Sequence, residues 1–476
     1  MIKSFIKKLL LLKQKNLKIL RVDNINDYRG LDLSCIPDNE EHKKSTTIKR
    51  RRDIARITKA TQYHSQWIRD KTARIKSPFS DKILKPIASL LPYIDSYHCI
   101  LYEYHDKEKF YLIVGDYWYE KLGLYFPERK QVILKREVLT DIKKMISLLP
   151  IYKSLGRNKK IDQTSIVLYH DHLAHHILNE LIGIDNLINK KLIQYIDHIY
   201  YCDTPLGELK DLFPEIQASK FAKVSRRELN QKSLSANELI LPYQTVKISQ
   251  SSIRRINNYL ELHSNKSFLK SIREKISAYD ICIWVSVRTG NRVLTDQIEL
   301  MASLKTEIET EGLSVIYIID GYSEPYQLSS REKCNYKNIV ADENKIIQDL
   351  EDTGITNISL IGKPIQDVLS CTALADYYIC HSGTLHHKVS WLQNLPGIIH
   401  SNEHFSNLED DLLPGMKEKE WQNIPSRIPL KAISDVVENT KDRSGNSLTE
   451  KHNNYSLDIE IALEQIISAL KKESII

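Results

Sequence analysis

The chain of 476 residues is poor in three things, and each shortage narrows what it can be. Its seven cysteines, Cys35, Cys99, Cys202, Cys282, Cys334, Cys371 and Cys380, are odd in number, scattered and free of any Cys-x-x-Cys pair. That excludes a disulfide scaffold and a zinc ribbon and fits a reducing compartment. Glycine and proline number only 15 each, which excludes collagenous, propeller-like and linker-rich designs. No stretch approaches the roughly 18 apolar residues of a membrane-spanning helix. The short run Leu9-Leu10-Leu11-Leu12 lacks a small-residue cleavage site and runs at once into Lys13, Lys15 and Lys18, so a secretory signal is not expected either. With 42% hydrophobic and 27% charged residues, the sequence predicts a cytoplasmic, globular protein of two or three domains.

Charge is concentrated at one end. Residues 1–75 hold 19 Lys and Arg against 8 Asp and Glu, whereas the remainder is nearly balanced at 49 against 53. One cluster runs from Lys3 to Arg21, interleaved with Ile2, Phe5, Ile6, Leu9, Leu10, Leu12, Leu17 and Leu20; the other is Lys43-Lys44 with Lys49-Arg50-Arg51-Arg52. A basic amphipathic helix can rest on an anionic leaflet, each cation adding about 1 kcal/mol near the surface. A solvated helix packed on its own domain explains the same pattern. Nucleic acid is set aside as a partner, because the patch has no interleaved aromatics and no recognisable module.

Apolar runs alternating with helical periods fill the C-terminal half. Ile281–Val287, Leu313–Ile319, Ile358–Ile361, Ala375–Cys380 and Gly397–His400 read as buried strands. Helices are expected near 295–310, 342–352 and 385–393. This alternation predicts a doubly wound parallel sheet over about 250–435. The N-terminal half, 76–240, reads as a second α/β domain, less regular and with added strands at Tyr97–Tyr104, Phe110–Gly115 and Gln131–Arg136. Thr164–Tyr169 and His198–Cys202 are its buried strands, with a helix at about 172–187. Ser225–Asn237 is a polar linker, 440–455 a polar loop, and the segment 455–476 ends in a helix with Ile459, Ile461, Leu463, Ile466 and Leu470 to bury.

Histidines gather where two of these strands end. The first window, His170 to Glu180, places His172, His175, His176, Asn179 and Glu180 at three- and four-residue steps behind Asp171, a helix N-cap candidate. Such a face serves as a base for an acceptor hydroxyl steadied by a carboxylate, with Asp171 or His172 first and His175 or Glu180 as orienter. A metal pair at His172 and His176, or an outward polar face, fits the same spacing. The second window is His381-Ser382-Gly383-Thr384-Leu385-His386-His387-Lys388, a short turn entering a helix, whose N–H groups and dipole suit an anion. The third is Arg288-Thr289-Gly290-Asn291-Arg292, two guanidinium groups past a buried strand. These forks suit phosphate, unless they are spent on an ionic network with Asp320 or Glu324.

Together the three windows resemble bacterial glycosyltransferases of the GT-B superfamily, in particular capsule and lipopolysaccharide transferases and family 61-type enzymes. In those, a strand ending in Arg, a second Arg and a later His-Gly-Ala-Gly-type turn form the nucleotide-sugar pocket. Arg288 and Arg292 stand at the arginines and His381-Ser382-Gly383-Thr384 at the turn, with Ser382 and Thr384 replacing small residues. The resemblance implies two Rossmann-like domains facing a cleft and metal-independent, inverting transfer from a nucleotide-sugar donor to a glycan, such as a lipid-linked surface polysaccharide. It implies a diphosphate held by Arg288, Arg292 and residues 381–384, aided by Lys363 and Lys388. No cofactor is expected, and the basic end would contact the inner membrane surface. A polysaccharide pyruvyl- or phosphotransferase, or a histidine-rich metal-dependent hydrolase, is the alternative.

Overall fold

The computed structural model describes residues 18–21, 61–62, 64–90, 99–115, 122–134, 161–168, 170, 172–225, 228–229, 238–243, 245, 248–327, 330–406, 423, 425–436 and 449–476. Most of the basic N-terminal region, most of the expected 225–237 linker, residues 440–448 and Asp171 lie outside them. Among the described residues no helix is long and apolar enough to cross a membrane. The fold is α/β, in two compact units. One comprises Met1–His170, Leu178–Asp203 and Phe213–Val246; the other comprises Asp171–Ile177, Thr204–Leu212 and Lys247–Ile476.

The first unit carries two larger sheets and a two-stranded pair, Ile75–Lys76 with Ile83–Leu84. Ala88–Leu90, Cys99–His105, Lys109–Gly115, Leu122–Phe126 and Gln131–Leu134 form an antiparallel meander, which Lys18–Arg21 extends in parallel. Tyr104 faces Phe110 across the ladder and their rings stack at 5.4 Å, so the tyrosine-rich alternation of the sequence fills a core. The second sheet is parallel, with strands β1 (Gln163–Leu168), β2 (His198–Tyr201), β3 (Phe221–Lys223) and β4 (Glu238–Leu241) in the order β3-β2-β1-β4. Hydrogen bonds tie the sheets together: Ser89 Oγ donates to the Glu238 carbonyl (2.6 Å) and accepts the Ile240 N–H (3.2 Å), and Tyr102 OH donates to the Ile240 carbonyl (2.8 Å).

The second unit is a doubly wound sheet. Strands β5 (Ile281–Ser286), β6 (Val315–Asp320), β7 (Asn357–Ser359), β8 (Tyr377–His381), β9 (Gly397–His400) and β10 (Ser426–Arg427) are all parallel, in the order β7-β6-β5-β8-β9-β10. That is the dinucleotide-fold order, reversing between β5 and β8. Its helices are α1 (Gln250–His263), α2 (Lys266–Ile276), α3 (Gln297–Thr310), α4 (Ser330–Asp352), α5 (Ile365–Cys371), α6 (Thr384–Leu392) and α7 (Ile459–Lys472). Because strand side chains alternate, Ile281, Ile283 and Val285 meet α3 and α7 on one face, while Cys282 and Trp284 meet α2, α5 and α6 on the other. The C-terminal helix belongs to this core: Ala462, Ile466 and Leu470 are fully buried in it.

Four features depart from the sequence reading. Lys18–Arg21, the end of the basic stretch expected as an amphipathic helix, is a strand paired with Gln131–Leu134. Helix α4 begins at Ser330, well before 342, because its polar first turns show no apolar period. Within the expected 440–455 loop, Asn454 begins a strand, β12 (Asn454–Leu457), which pairs antiparallel with β11 (Ile433–Val436) and buries Tyr455 completely. Two inward residues in a four-residue strand are too few to stand out in a polar sequence. Finally, two short stretches of the N-terminal half are held by the second unit. The Gln366 amide donates to the Leu206 carbonyl (2.8 Å), Arg255 to that of Leu212 (3.1 Å) and the Tyr326 N–H to that of Pro205 (2.8 Å).

Candidate active site

At a point of strand-order reversal the neighbouring loops leave toward opposite faces and open a crevice at the carboxyl ends of the strands. In the second unit a cavity of about 390 Å³ lies there, lined by the residues that follow β5 and β6, by the start of α6, and by His172.

Arg288 enters it from the turn after β5. Its Nε–H donates to the Asn291 carbonyl and its Nη2 to the Asn291 side-chain oxygen, both at 2.7 Å. Burial and the like charge of Arg292 lower its pKa to about 10, so the group stays cationic at neutral pH. Arg292 does not line the cavity. It has left-handed backbone (φ 52°), and its guanidinium lies 4.7 Å from the centre of the Phe405 ring. Among the described residues no carboxylate forms an ion pair with either arginine.

Asp320, the expected alternative partner, is taken by Lys388. The Lys388 ammonium reaches both Asp320 oxygens (2.7 and 3.0 Å), the Gly321 carbonyl (3.0 Å) and Ser323 Oγ (2.8 Å). Lys388 lines the cavity, but its three protons already face these four oxygens. Burial raises the pKa of Asp320 and the adjacent ammonium opposes that rise. Next to this pair, Glu343 of α4 accepts the Tyr322 N–H (2.7 Å). Position 321 must be glycine for that approach, since a Cβ there would lie 2.3 Å from the Glu343 carboxylate.

The turn after β8 has two parts. His381 is buried: its N–H donates to Ser286 Oγ (2.8 Å), its Nδ1 lies 3.1 Å from the same oxygen, and its ring is 4.5 Å from that of His400. His400 Nδ1 in turn contacts Tyr455 OH at 2.6 Å. Burial, then His400 and the two arginines, hold His381 well below its ordinary pKa, so it is neutral. Ser382 N–H donates to the His400 carbonyl (2.8 Å). Gly383, at φ 122° and ψ −148°, donates its N–H to His386 Nδ1 (2.9 Å) and starts α6. Thr384 and Leu385, in the first turn of that helix, line the cavity, whereas His381, Ser382 and Gly383 lie outside its lining.

From the first histidine window, His172 reaches the cavity and shares a hydrogen bond with Thr384 Oγ1 at 3.3 Å. His175 sits beside it, the ring centres 5.1 Å apart, without lining the cavity. Glu180 lies in the first unit, buried in a π-helical segment (His176–Leu181), where it accepts the His170 N–H at 3.0 Å. His176 is fully buried whereas His172 is exposed, and among the described residues no three His, Cys, Asp or Glu side chains converge as metal ligands. Lys363 stands away from the cavity lining, over the Phe268 ring at 5.7 Å. Asn291, Glu343 and Tyr455 escaped the sequence reading; Asn291 alone left a signal, an Asn after Gly in the turn between two arginines.

No protein-family model and no curated sequence matches the chain. Among solved structures it is similar to a family 9 glycosyl transferase of Veillonella parvula (12% identity, TM-score 0.35, covering 67% of this chain and 98% of that one). It is also similar to the E. coli heptosyltransferase WaaC with ADP (10%, 0.31, 56% and 94%). A third is the UDP-GlcNAc 2-epimerase of Methanocaldococcus jannaschii (13%, 0.24, 71% and 85%). At these scores the likenesses carry no weight for activity, and the chemistry follows from the residues of the cavity.

Proposed function

We propose that the chain is a GT-B-type glycosyltransferase moving a sugar from a nucleotide-sugar donor to a glycan acceptor. The supporting observation is that Arg288, the first turn of α6 and His172, drawn from three distant stretches, border one cavity. The diphosphate of the donor would meet the Arg288 fork and the first turn of α6, where the helix dipole favours negative charge. His172, exposed on the same cavity, would take the proton of the acceptor hydroxyl as its oxygen attacks the anomeric carbon from the face opposite the leaving group. The bond to the diphosphate then breaks, its electron pair leaves with the phosphate oxygen, and Arg288 stabilises the charge that develops. That sequence inverts the anomeric centre and needs no metal. His175, its ring 5.1 Å from that of His172, is proposed to orient the base, with Asp171 the alternative base. Lys388, satisfied by Asp320, contributes to the wall of the site, and Arg292, over the Phe405 ring, adds positive charge near Arg288. Family 61-type specificity, a lipid-linked acceptor and contact of the basic N-terminus with the inner membrane surface complete the proposal.

Incubating the protein with nucleotide sugars and, separately, with phosphoenolpyruvate tests it. Slow release of nucleoside diphosphate from a nucleotide sugar, abolished in Arg288→Ala, is expected. Turnover of phosphoenolpyruvate instead would establish a pyruvyltransferase.

A further inference from the structure

The contact between Arg288 and Asn291 does more than close a turn. A guanidinium has two edges that can grip an oxyanion: one formed by Nε and Nη2, the other by the two Nη atoms. Asn291 fills the first edge with two oxygens, its own carbonyl and its side-chain amide oxygen, each at 2.7 Å. Gly290 (φ 95°) and Arg292 (φ 52°) flank it with left-handed backbone, and this turn brings both oxygens of one residue back onto the same edge. Both Arg288 and Asn291 line the cavity. Both oxygens are neutral. A carboxylate in their place would orient the arginine equally well but would cancel its charge.

We propose that Asn291 is a positioning residue: it fixes Arg288 by the Nε edge, leaving the Nη edge and the full positive charge for a diphosphate. This role rests on the cavity being a diphosphate site. It assigns Asn291 an action through Arg288 and no contact of its own with the ligand.

Isothermal titration of ADP, UDP and inorganic pyrophosphate into the full chain, with a melting curve for each variant, tests the assignment. Asn291→Ala is expected to weaken binding of all three by about ten- to a hundredfold, the worth of a hydrogen bond to a charged group. In an Arg288→Lys background, where there is no fork to orient, the same change should cost nothing further. Asn291→Asp should weaken binding at least as much as Asn291→Ala while holding or raising the melting temperature, because the new carboxylate pairs with Arg288. Wild-type affinity in Asn291→Ala or Asn291→Asp overturns the proposal, and so does an equal loss in the Arg288→Lys background. If the unmodified protein binds none of the three probes, the diphosphate site itself falls, a result distinct from binding that is indifferent to position 291.

Discussion

At the scale of single residues, the site separates side chains that work in the cavity from those that hold its walls. Arg288 and His172 are of the first kind. Replacing His172 with Ala should lower turnover by about 10²–10⁴-fold, the usual worth of a positioned base, while leaving nucleoside diphosphate affinity within a factor of about two. Steady-state rates and titration read the two effects separately. Lys388 is of the second kind. Lys388→Ala leaves Asp320 buried beside no cation and should cost about 3–5 kcal/mol in chemical denaturation. Adding Asp320→Asn should restore much of it. Arg288 was legible in the sequence because an arginine directly after a buried strand has few structural reasons to be there. Which acid pairs with which base was not legible: Arg288 follows β5 and Asp320 ends the neighbouring β6, yet the cation that reaches Asp320 is Lys388 of α6.

At the scale of elements, the strands of the second unit's sheet were readable because burial on both faces demands unbroken apolar runs, as in Ile281–Ser286 and Val315–Asp320. The start of α6 was readable from Ser-Gly-Thr, and its geometry yields a prediction. Gly383 has a conformation that side chains rarely adopt, with open space where a Cβ would go. Gly383→Ala should therefore cost about 1–3 kcal/mol from backbone strain alone and weaken diphosphate binding, as melting and titration would show. Unchanged values for both would mean that the turn does not present the helix terminus to the ligand. The strand Asn454–Leu457 was not readable, since its pairing with Ile433–Val436 joins segments far apart in a polar stretch of sequence. Yet it delivers Tyr455 to His400 and so closes the cluster behind the arginines.

At the scale of the whole molecule, each unit carries a deeply buried, neutral imidazole. Burial lowers the pKa of His64 in the first unit and of His400 in the second to about 3. An unfolded chain takes up protons at these positions near pH 6.5, whereas the folded chain does not until about pH 3. Stability contributed in this way is present above pH 6.5 and is lost as pH falls between those limits, at about 1.4 kcal/mol per pH unit for each group. Denaturation midpoints should therefore drop between pH 7 and pH 5, and a His400→Gln variant should show a shallower slope. A slope unchanged by that substitution would mean that His400 is not held neutral by burial.

The central claim, that one cavity of the C-terminal sheet binds the diphosphate of a nucleotide, is most directly tested by titrating UDP and ADP calorimetrically into the full chain and into Arg288→Ala. The account predicts one-site binding of at least one of the two to the unmodified protein, weakened at least about tenfold in the variant with no loss of melting temperature. Binding of neither nucleotide, or equal binding by both proteins, would contradict it.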